Sequence, residues 1–257
     1  MEIFISVFNT ILYQPLFNAL VFLYQFLPGK DFGIAIIILT IIIRIILYPL
    51  MLKSIKSQKM LSELQPKIQE IQQKYKNNKE KQAKEMMGLY KKEKINPFGG
   101  CLPLLIQLPI LIALYRVFWR GMQPGAMSHL YSFVPNPGEI NPTFFGLINL
   151  AEPSLGLAFL AGVCQFYQTK MLMSKNKKPA GQGDQMTQFS NIMQKQMLYF
   201  FPIFTVFILW KLPSAIGLYW LITAFFSIFQ QYLILKPKPK GEDDKSSSSP
   251  SLPVEAQ

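Results

Sequence analysis

The chain is short of the residues that do chemistry. It has one histidine and two cysteines in 257 residues, and only 16% of it is charged, where a soluble domain carries about a quarter. The single histidine, His129, has no metal or nucleophile constellation around it. The thiols of Cys101 and Cys164 lie in apolar blocks with no metal-ligand neighbour, so they read as packing residues and not as a disulfide framework. No P-loop is present, which gives no basis for nucleotide hydrolysis. These shortages argue against a membrane enzyme and imply no cofactor.

What the chain has is apolar residue in blocks. Half of its residues are hydrophobic, concentrated at 32–52, 101–119, 154–173, 197–210 and 214–235. Crossing about 30 Å of hydrocarbon takes roughly 20 such residues in a helix. The 197–210 block is short, but Phe189, Ile192 and Met193 could start its helix earlier. A soluble core of buried helices is the alternative. The fold class expected is therefore all-α integral membrane protein with five transmembrane helices.

The formal net charge of +12 suggests nucleic acid at first sight. The charges, however, sit between the apolar blocks and not on one face, which argues against sequence-specific nucleic-acid binding. The loop 53–96 holds 12 Lys against 5 acidic residues, segment 174–196 holds four Lys and the tail after 235 four more, whereas loop 120–153 holds only Arg120. Basic loops stay in the cytoplasm. All fall on one side if the 32–52 helix runs from outside to inside, giving an N-terminus outside and a cytoplasmic C-terminus.

The organisation expected follows. Residues 1–30 form an N-terminal segment and 31–52 the first span. Residues 53–96 form a cytoplasmic hairpin, and 97–235 carry spans two to five with an outer loop 120–153 and a cytoplasmic loop 174–196. Residues 236–257 form a disordered basic tail. No cleavable signal peptide is evident at the start. Ser6, Thr10, Gln14 and Asn18 put a polar stripe on an oily helix, which suits an amphipathic segment in the interface; a sixth span is the rival. In the hairpin, Met60, Leu64, Ile68, Ile71 and Tyr75 make one apolar stripe and Ala83, Met86, Met87 and Tyr90 another. Asn77-Asn78 turns between them, Pro66 kinks or restarts the first helix, and the attachments at Lys53 and Asn96 are flexible. The hairpin either merely fixes orientation or receives a ribosome, a client or lipid headgroups.

Arg44 is the informative residue. It lies about 12 Å from the inner end of the first span at 1.5 Å per residue. A mid-helix arginine costs about 2.5–3.5 kcal/mol to insert, and no carboxylate occurs in any span. It should face water or a polar cavity, unless backbone carbonyls satisfy it as a structural residue. Thr40 shares its face one turn away. Gln107 in the second span, Gln165, Gln168 and Thr169 in the third, and Trp220, Thr223, Ser227 and Gln230 in the last could line the same cavity. Each alone is more often a helix–helix hydrogen bond.

Three stretches resemble the YidC/Oxa/Alb insertase family: TIIIRIILYPLMLKSIKSQKMLSELQPKIQEIQQKY (40–75), the run 85–118 with NPFGGCLPLLIQLPI, and the run 201–234 with LPSAIGLYW. The resemblance implies five helices around a hydrophilic groove open to the cytoplasm and to lipid but closed outside, with Arg44 as its key arginine. It implies client contact at Thr40 and at the Tyr219-Trp220 pair. It also implies a minimal core, without a large outer domain or a lipoprotein cysteine near the N-terminus. The function implied is that of an insertase and chaperone in the bacterial plasma membrane. Its partners would be nascent membrane proteins, the bilayer, the ribosome and the Sec translocon. A transporter would need intramembrane carboxylates or an inverted repeat, neither of which is evident. A passive ribosome anchor would leave Arg44 unexplained.

The charge asymmetry makes the topology testable. In a background with Cys101 and Cys164 replaced by serine, Lys74→Cys and Asn176→Cys should react with an impermeant thiol reagent only from the cytoplasmic side, and Asn136→Cys only from outside. Labelling of the Lys74→Cys variant from outside would overturn the five-span topology.

Overall fold

The computed structural model describes residues 2–96, 99, 102–121, 123, 125–173 and 196–235. The helix-starting residues Phe189, Ile192 and Met193, the cysteine Cys101, most of the loop 174–196 and the tail 236–257 lie outside the described residues. The rest is helical apart from the outer loop. The chain order is α1 (Glu2–Phe8), a wide π turn (Asn9–Tyr13), α2 (Gln14–Phe26), α3 (Phe32–Lys74), α4 (Lys79–Lys92), α5 (Leu102–Gly121), α6 (Leu155–Leu172), a second π turn (Gln196–Phe200), α7 (Phe201–Leu209) and α8 (Ser214–Leu235). Among the described residues, three helical stretches are long and apolar enough to cross a membrane: Ile5–Phe26, Phe32–Lys74 and Ser214–Leu235.

Helix α3 has 43 residues, about 64 Å at 1.5 Å per residue and twice the hydrocarbon thickness. Its apolar first half and lysine-rich second half therefore cannot share one environment. Asp31 caps its start by accepting from the Ile34 amide at 2.9 Å. Pro49 and Pro66 both lie within it, each leaving the carbonyl four residues back without its helical donor. The helix nevertheless continues through both. The expected restart at Pro66 does not occur, and the attachment at Lys53 is unbroken helix instead of a flexible joint, because helical geometry resumes immediately after each proline.

The hairpin closes as expected at 75–78, where the Asn78 side chain accepts from the Lys81 amide at 2.9 Å and starts α4. Leu64, Ile68 and Ile95 form its small core with Leu61, Met86, Leu89 and Tyr90. Burial raises the pKa of the Tyr90 hydroxyl. The inward face of α4 is one residue out of phase with the apolar stripe. Gln82 is buried, whereas Ala83 and Met87 are exposed. The reason is a hydrogen bond from Gln82 Nε2 to the Gln72 carbonyl at 3.1 Å, which turns the helix toward an amide partner. Lys67 and Glu93 pair at 2.6 Å across the hairpin, and that hydrogen bond holds the Glu93 carboxyl below its usual range.

The main core lies in the outer half of the helical body. Phe32 meets Tyr24 and Phe118 edge-on, at 6.2 and 6.3 Å between ring centroids. Ile36, Leu39, Leu114, Val117 and Ile216 complete this sealed layer. Small residues let helices close up: Ala158, Ala161, Ala215 and Ala224 are buried where α6 and α8 pack. A side chain at Gly162 would run into Val206 and stand 3.1 Å from the Pro202 carbonyl of α7.

The outer loop ties these helices together. Thr143–Phe144 and Ile148–Asn149 pair as a two-stranded antiparallel ribbon. Asp31 accepts from the Phe145 amide at 2.5 Å. The Ser214 and Ala215 amides at the start of α8 donate to the carbonyls of Glu152 and Leu150 at 2.9 and 3.0 Å. Loop and N-terminal helix also meet. The Asn18 carboxamide accepts from the Tyr131 amide at 2.6 Å and donates to the His129 carbonyl at 3.1 Å. Tyr24 Oη accepts from the Asn141 amide at 3.0 Å. Thus the inner part of the polar stripe, Gln14 and Asn18, binds the outer loop, while Ser6 and Thr10 remain exposed.

The glycine environments give opposite expectations for two substitutions. Gly162→Leu overfills the α6–α7 contact and should cost about 1–3 kcal/mol. Gly88→Ala, in α4 with nothing within 4 Å of the added carbon, should stabilise by up to about 1 kcal/mol. Reversible unfolding in mixed detergent micelles measures both; equal effects would contradict the packing described.

Candidate functional site

Three helices bring the central side chains together. Arg44 is on α3, Gln107 on α5 and Tyr219 on α8. Arg44 is 7% exposed although it carries a full charge. Its Nη2 donates to Gln107 Oε1 at a long 3.5 Å, and Gln107 Nε2 donates to Tyr219 Oη at 2.7 Å. The Gln107 amide is therefore used at both ends, and its orientation is set by the cation on one side and the phenol on the other. The two ion pairs among the described residues, Lys59–Glu63 and Lys67–Glu93, are both in the hairpin, so neither neutralises Arg44. A guanidinium has five N–H donors, and one weak neutral partner leaves it able to bind an oxyanion.

One residue along α8, Trp220 Nε1 donates to Gln165 Oε1 of α6 at 2.8 Å. Adjacent residues on a helix point about 100° apart, so Tyr219 and Trp220 serve different neighbours. Thr223 is buried and its hydroxyl has no hydrogen-bond partner among the described residues. Thr40 is buried as well, but its hydroxyl donates to the Ile36 carbonyl of its own helix at 2.6 Å. Gln168 is half-buried on α6 and is not drawn into either pair. The eight residues thus separate into Arg44–Gln107–Tyr219, the pair Gln165–Trp220, and Thr40, Thr223 and Gln168 outside both.

The polar character continues inward from Arg44. Ser227, Gln230 and Gln231 are buried along α8. Ser227 donates to the Thr223 carbonyl at 2.9 Å, and Gln230 Nε2 lies 3.5 Å from the Tyr48 carbonyl of α3. Gln231 Oε1 is buried with no partner among the described residues. Gln231 escaped the sequence reading, although two consecutive glutamines in a 22-residue apolar helix are a visible signal. Near the inner end, Ser54 Oγ donates to the Gly99 carbonyl at 2.8 Å. Helix α5 touches α3 and α8 only sparingly, whereas α3 and α6 both pack along α8. Gln107 reaches Arg44 and Tyr219 where the helices approach least, whereas Gln165–Trp220 and Gln230 sit at the close α6–α8 and α3–α8 contacts.

The opposite surfaces are oily. Ile45 and Ile46 on α3, Leu105, Leu108 and Ile112 on α5, Phe159 on α6, Ile203 and Phe207 on α7, and Phe225 and Phe229 on α8 are all exposed. So much exposed aliphatic and aromatic side chain suits contact with lipid. Among the described residues, no three of His, Cys, Asp and Glu converge as a metal group.

The chain matches the family described as 60Kd inner membrane protein over residues 22–241. It is 39% identical over 206 residues to a membrane protein insertase YidC of Fusobacterium nucleatum, covering 80% of this chain and 87% of that one. A YidC of Oceanobacillus iheyensis is 36% identical, with 81% and 76% covered. A YidC of Wigglesworthia glossinidia brevipalpis is 36% identical over 88% of this chain, but the chain spans only 37% of that protein. Among solved structures, the crystal structure of an active YidC insertase with its first transmembrane domain resolved matches at TM-score 0.53 and 28% identity, over 88% of this chain and 47% of the other. With its apolar helices the chain is a multi-pass inner-membrane protein, and it belongs to the YidC/Oxa family of membrane insertases.

Proposed function

We propose that the chain moves segments of nascent membrane proteins from the cytoplasm into the bilayer, acting as insertase and chaperone, along a hydrophilic groove with Arg44 as its key cation. The observation that carries this reading is a buried guanidinium held, among the described residues, by one glutamine and no carboxylate. The relatives named membrane protein insertase agree with it.

Five spans enclose the groove: the first part of α3, then α5, α6, the helical stretch ending in α7, and α8. The N-terminal helix lies on the outer surface. Its contacts at Phe8, Asn9, Tyr13, Asn18 and Tyr24 all reach residues at outer helix ends or in the outer loop. The deepest of them, Arg116, is only about 7.5 Å below the end of α5 at 1.5 Å per residue. The N-terminus is outside and the C-terminus cytoplasmic, following the lysine-rich loops.

A client segment that must cross carries charges and peptide groups that lose water in hydrocarbon. The inner polar seam from Gln231 to Arg44 would let it keep polar partners over part of the path. Arg44 attracts an acidic residue in that segment. Gln107, Gln165, Gln168, Tyr219, Trp220, Thr40 and Thr223 offer hydrogen bonds along the way. The client's apolar stretch then leaves toward lipid past the exposed aliphatic faces, and its burial drives release without nucleotide. The hairpin receives clients and, with the basic tail, faces the ribosome; the Sec translocon is a lateral partner. In this reading no metal or cofactor takes part.

Charge should therefore matter more than shape at position 44. A pair at about 4 Å is worth about 1–4 kcal/mol between water-like and protein-surface dielectric. Arg44→Ala should then slow insertion of an acidic client by about tenfold or more and spare a client with a neutral crossing segment. Arg44→Lys should retain much of the activity despite losing the fork, and Arg44→Glu should be worse than alanine for the acidic client. Folded yield and reconstituted insertion of both clients decide the matter. Equal loss for both clients, tracking folded yield, would make Arg44 a packing residue. Deleting 60–90 should impair insertion while the spans still fold; unchanged insertion would leave the hairpin as a topology signal only.

A further inference from the structure

The outer end of α5 carries Arg116 and Arg120, on the side of the molecule where basic residues are sparse, Lys30 and Lys211 being the others at helix ends there. The two are four residues apart and so share one helical face. Arg116 Nη1 donates to Asn9 Oδ1 at 3.2 Å, and its guanidinium lies 5.2 Å from the ring centroid of Phe8. The N-terminal helix therefore forms one wall beside both cations. Tyr13 on that wall is 4% exposed, and its hydroxyl is buried with no hydrogen-bond partner among the described residues. His129 meets the Tyr13 ring edge-on at 6.0 Å from the other side. No ion pair among the described residues includes either arginine. Among the described residues, two guanidinium groups without a carboxylate and an unused hydroxyl donor thus lie along the contact of α5 with the N-terminal helix, where Asn9 Oδ1 is a neutral acceptor.

Depth and surroundings say what the acceptor is. Arg120 stands at the end of α5 and Arg116 about 6 Å further in, a span that matches the boundary between headgroups and hydrocarbon. Tyr115 and Trp119, on the neighbouring face of the same helix, are exposed and stacked at 6.1 Å, as aromatic residues are at a bilayer interface. Ile112 and Leu108 continue that face as exposed aliphatic surface. We propose that Arg116, Arg120 and Tyr13 hold the phosphodiester of an anionic phospholipid of the outer leaflet, with its acyl chains along Tyr115, Ile112 and Leu108. The phosphate accepts charge-assisted hydrogen bonds from the two guanidinium groups, and Tyr13 donates a third. The site rests on the proposed topology, in which α5 spans the bilayer with its Gly121 end outside, but it stands or falls separately from the role of Arg44. The lipid would fasten the N-terminal helix to α5 at the outer surface.

The test uses the full chain in nanodiscs of phosphatidylcholine with or without phosphatidylglycerol, gently released and weighed by native mass spectrometry to count retained lipid. The wild-type chain should retain phosphatidylglycerol in preference to phosphatidylcholine. The variant Arg116→Gln/Arg120→Gln should bind it about tenfold more weakly, and Tyr13→Phe about threefold, in line with the loss of charged and neutral donors. Lys170→Gln, at the other end of the molecule, should retain it. Inorganic phosphate should not displace it. Equal retention by the double variant and the wild type overturns the site. Displacement by inorganic phosphate makes it a site for soluble anions, and an equal loss in Lys170→Gln makes the effect one of bulk charge; either overturns the lipid assignment. If the double variant does not fold, Tyr13→Phe decides alone, and full retention there overturns the proposal.

Discussion

A guanidinium cannot lose its water inside a membrane without another polar partner, and the arrangement of the inner half of this protein follows from that constraint. Arg44 sits about 18 Å along α3 from its outer start, at 1.5 Å per residue. Its single weak hydrogen bond among the described residues, to Gln107, does not replace a hydration shell. The neighbouring helices respond by placing polar side chains on the inner side of it. Tyr219 fixes Gln107, and Thr223, Ser227, Gln230 and Gln231 follow along α8. On its outer side the layer of Phe32, Ile36, Leu39, Leu114 and Phe118 is wholly apolar. The result is an apolar layer on one side of the cation and a run of buried polar side chains on the other.

The dry half needs its own closure. Helix starts expose amide groups that no helical carbonyl can satisfy. Here the outer loop supplies the acceptors for α8, through the carbonyls of Leu150 and Glu152. Asp31 does so for α3 while also holding the ribbon at Phe145. The N-terminal helix adds Asn18 and Tyr24 to the same web. An irregular loop can lie over the ends of two spans only because these backbone groups are paired, and the pairing in turn holds α3 and α8 in register at the level of Arg44 and Tyr219.

Much of this was legible from composition. The apolar blocks, the lone cation, the hairpin turn at Asn77-Asn78 and the disposition of Arg44 and Gln107 all follow from patterns that run along the chain. What stayed hidden depends on contacts between distant segments. Gln82 takes the buried place next to Ala83 because a carbonyl across the hairpin, that of Gln72, selects it; periodicity sees only that Ala83 is the more apolar. Asn18 reads as an interfacial stripe until the backbone of residues 129–131 is seen to occupy it. Thr40 shares a helical face with Arg44, yet its hydroxyl turns back to its own helix, an option that serine and threonine always have and that sequence spacing cannot exclude. Tyr219 drew attention through family resemblance alone, because a tyrosine in an apolar helix carries no periodic signal.

The uninterrupted course of α3 has a mechanical consequence for the whole. A hairpin joined by a loose linker would tumble independently of the membrane body. Joined by helix, its direction is set by the tilt of the span that carries Arg44. Pro49 and Pro66 are the two places where a backbone hydrogen bond is missing, so bending concentrates there and nowhere else along the shaft. Pro49 is five residues beyond Arg44, close to one and a half turns. Pro49 lies between Arg44 and the hairpin, while the start of α3 is held by Asp31, the ribbon and the phenylalanine layer.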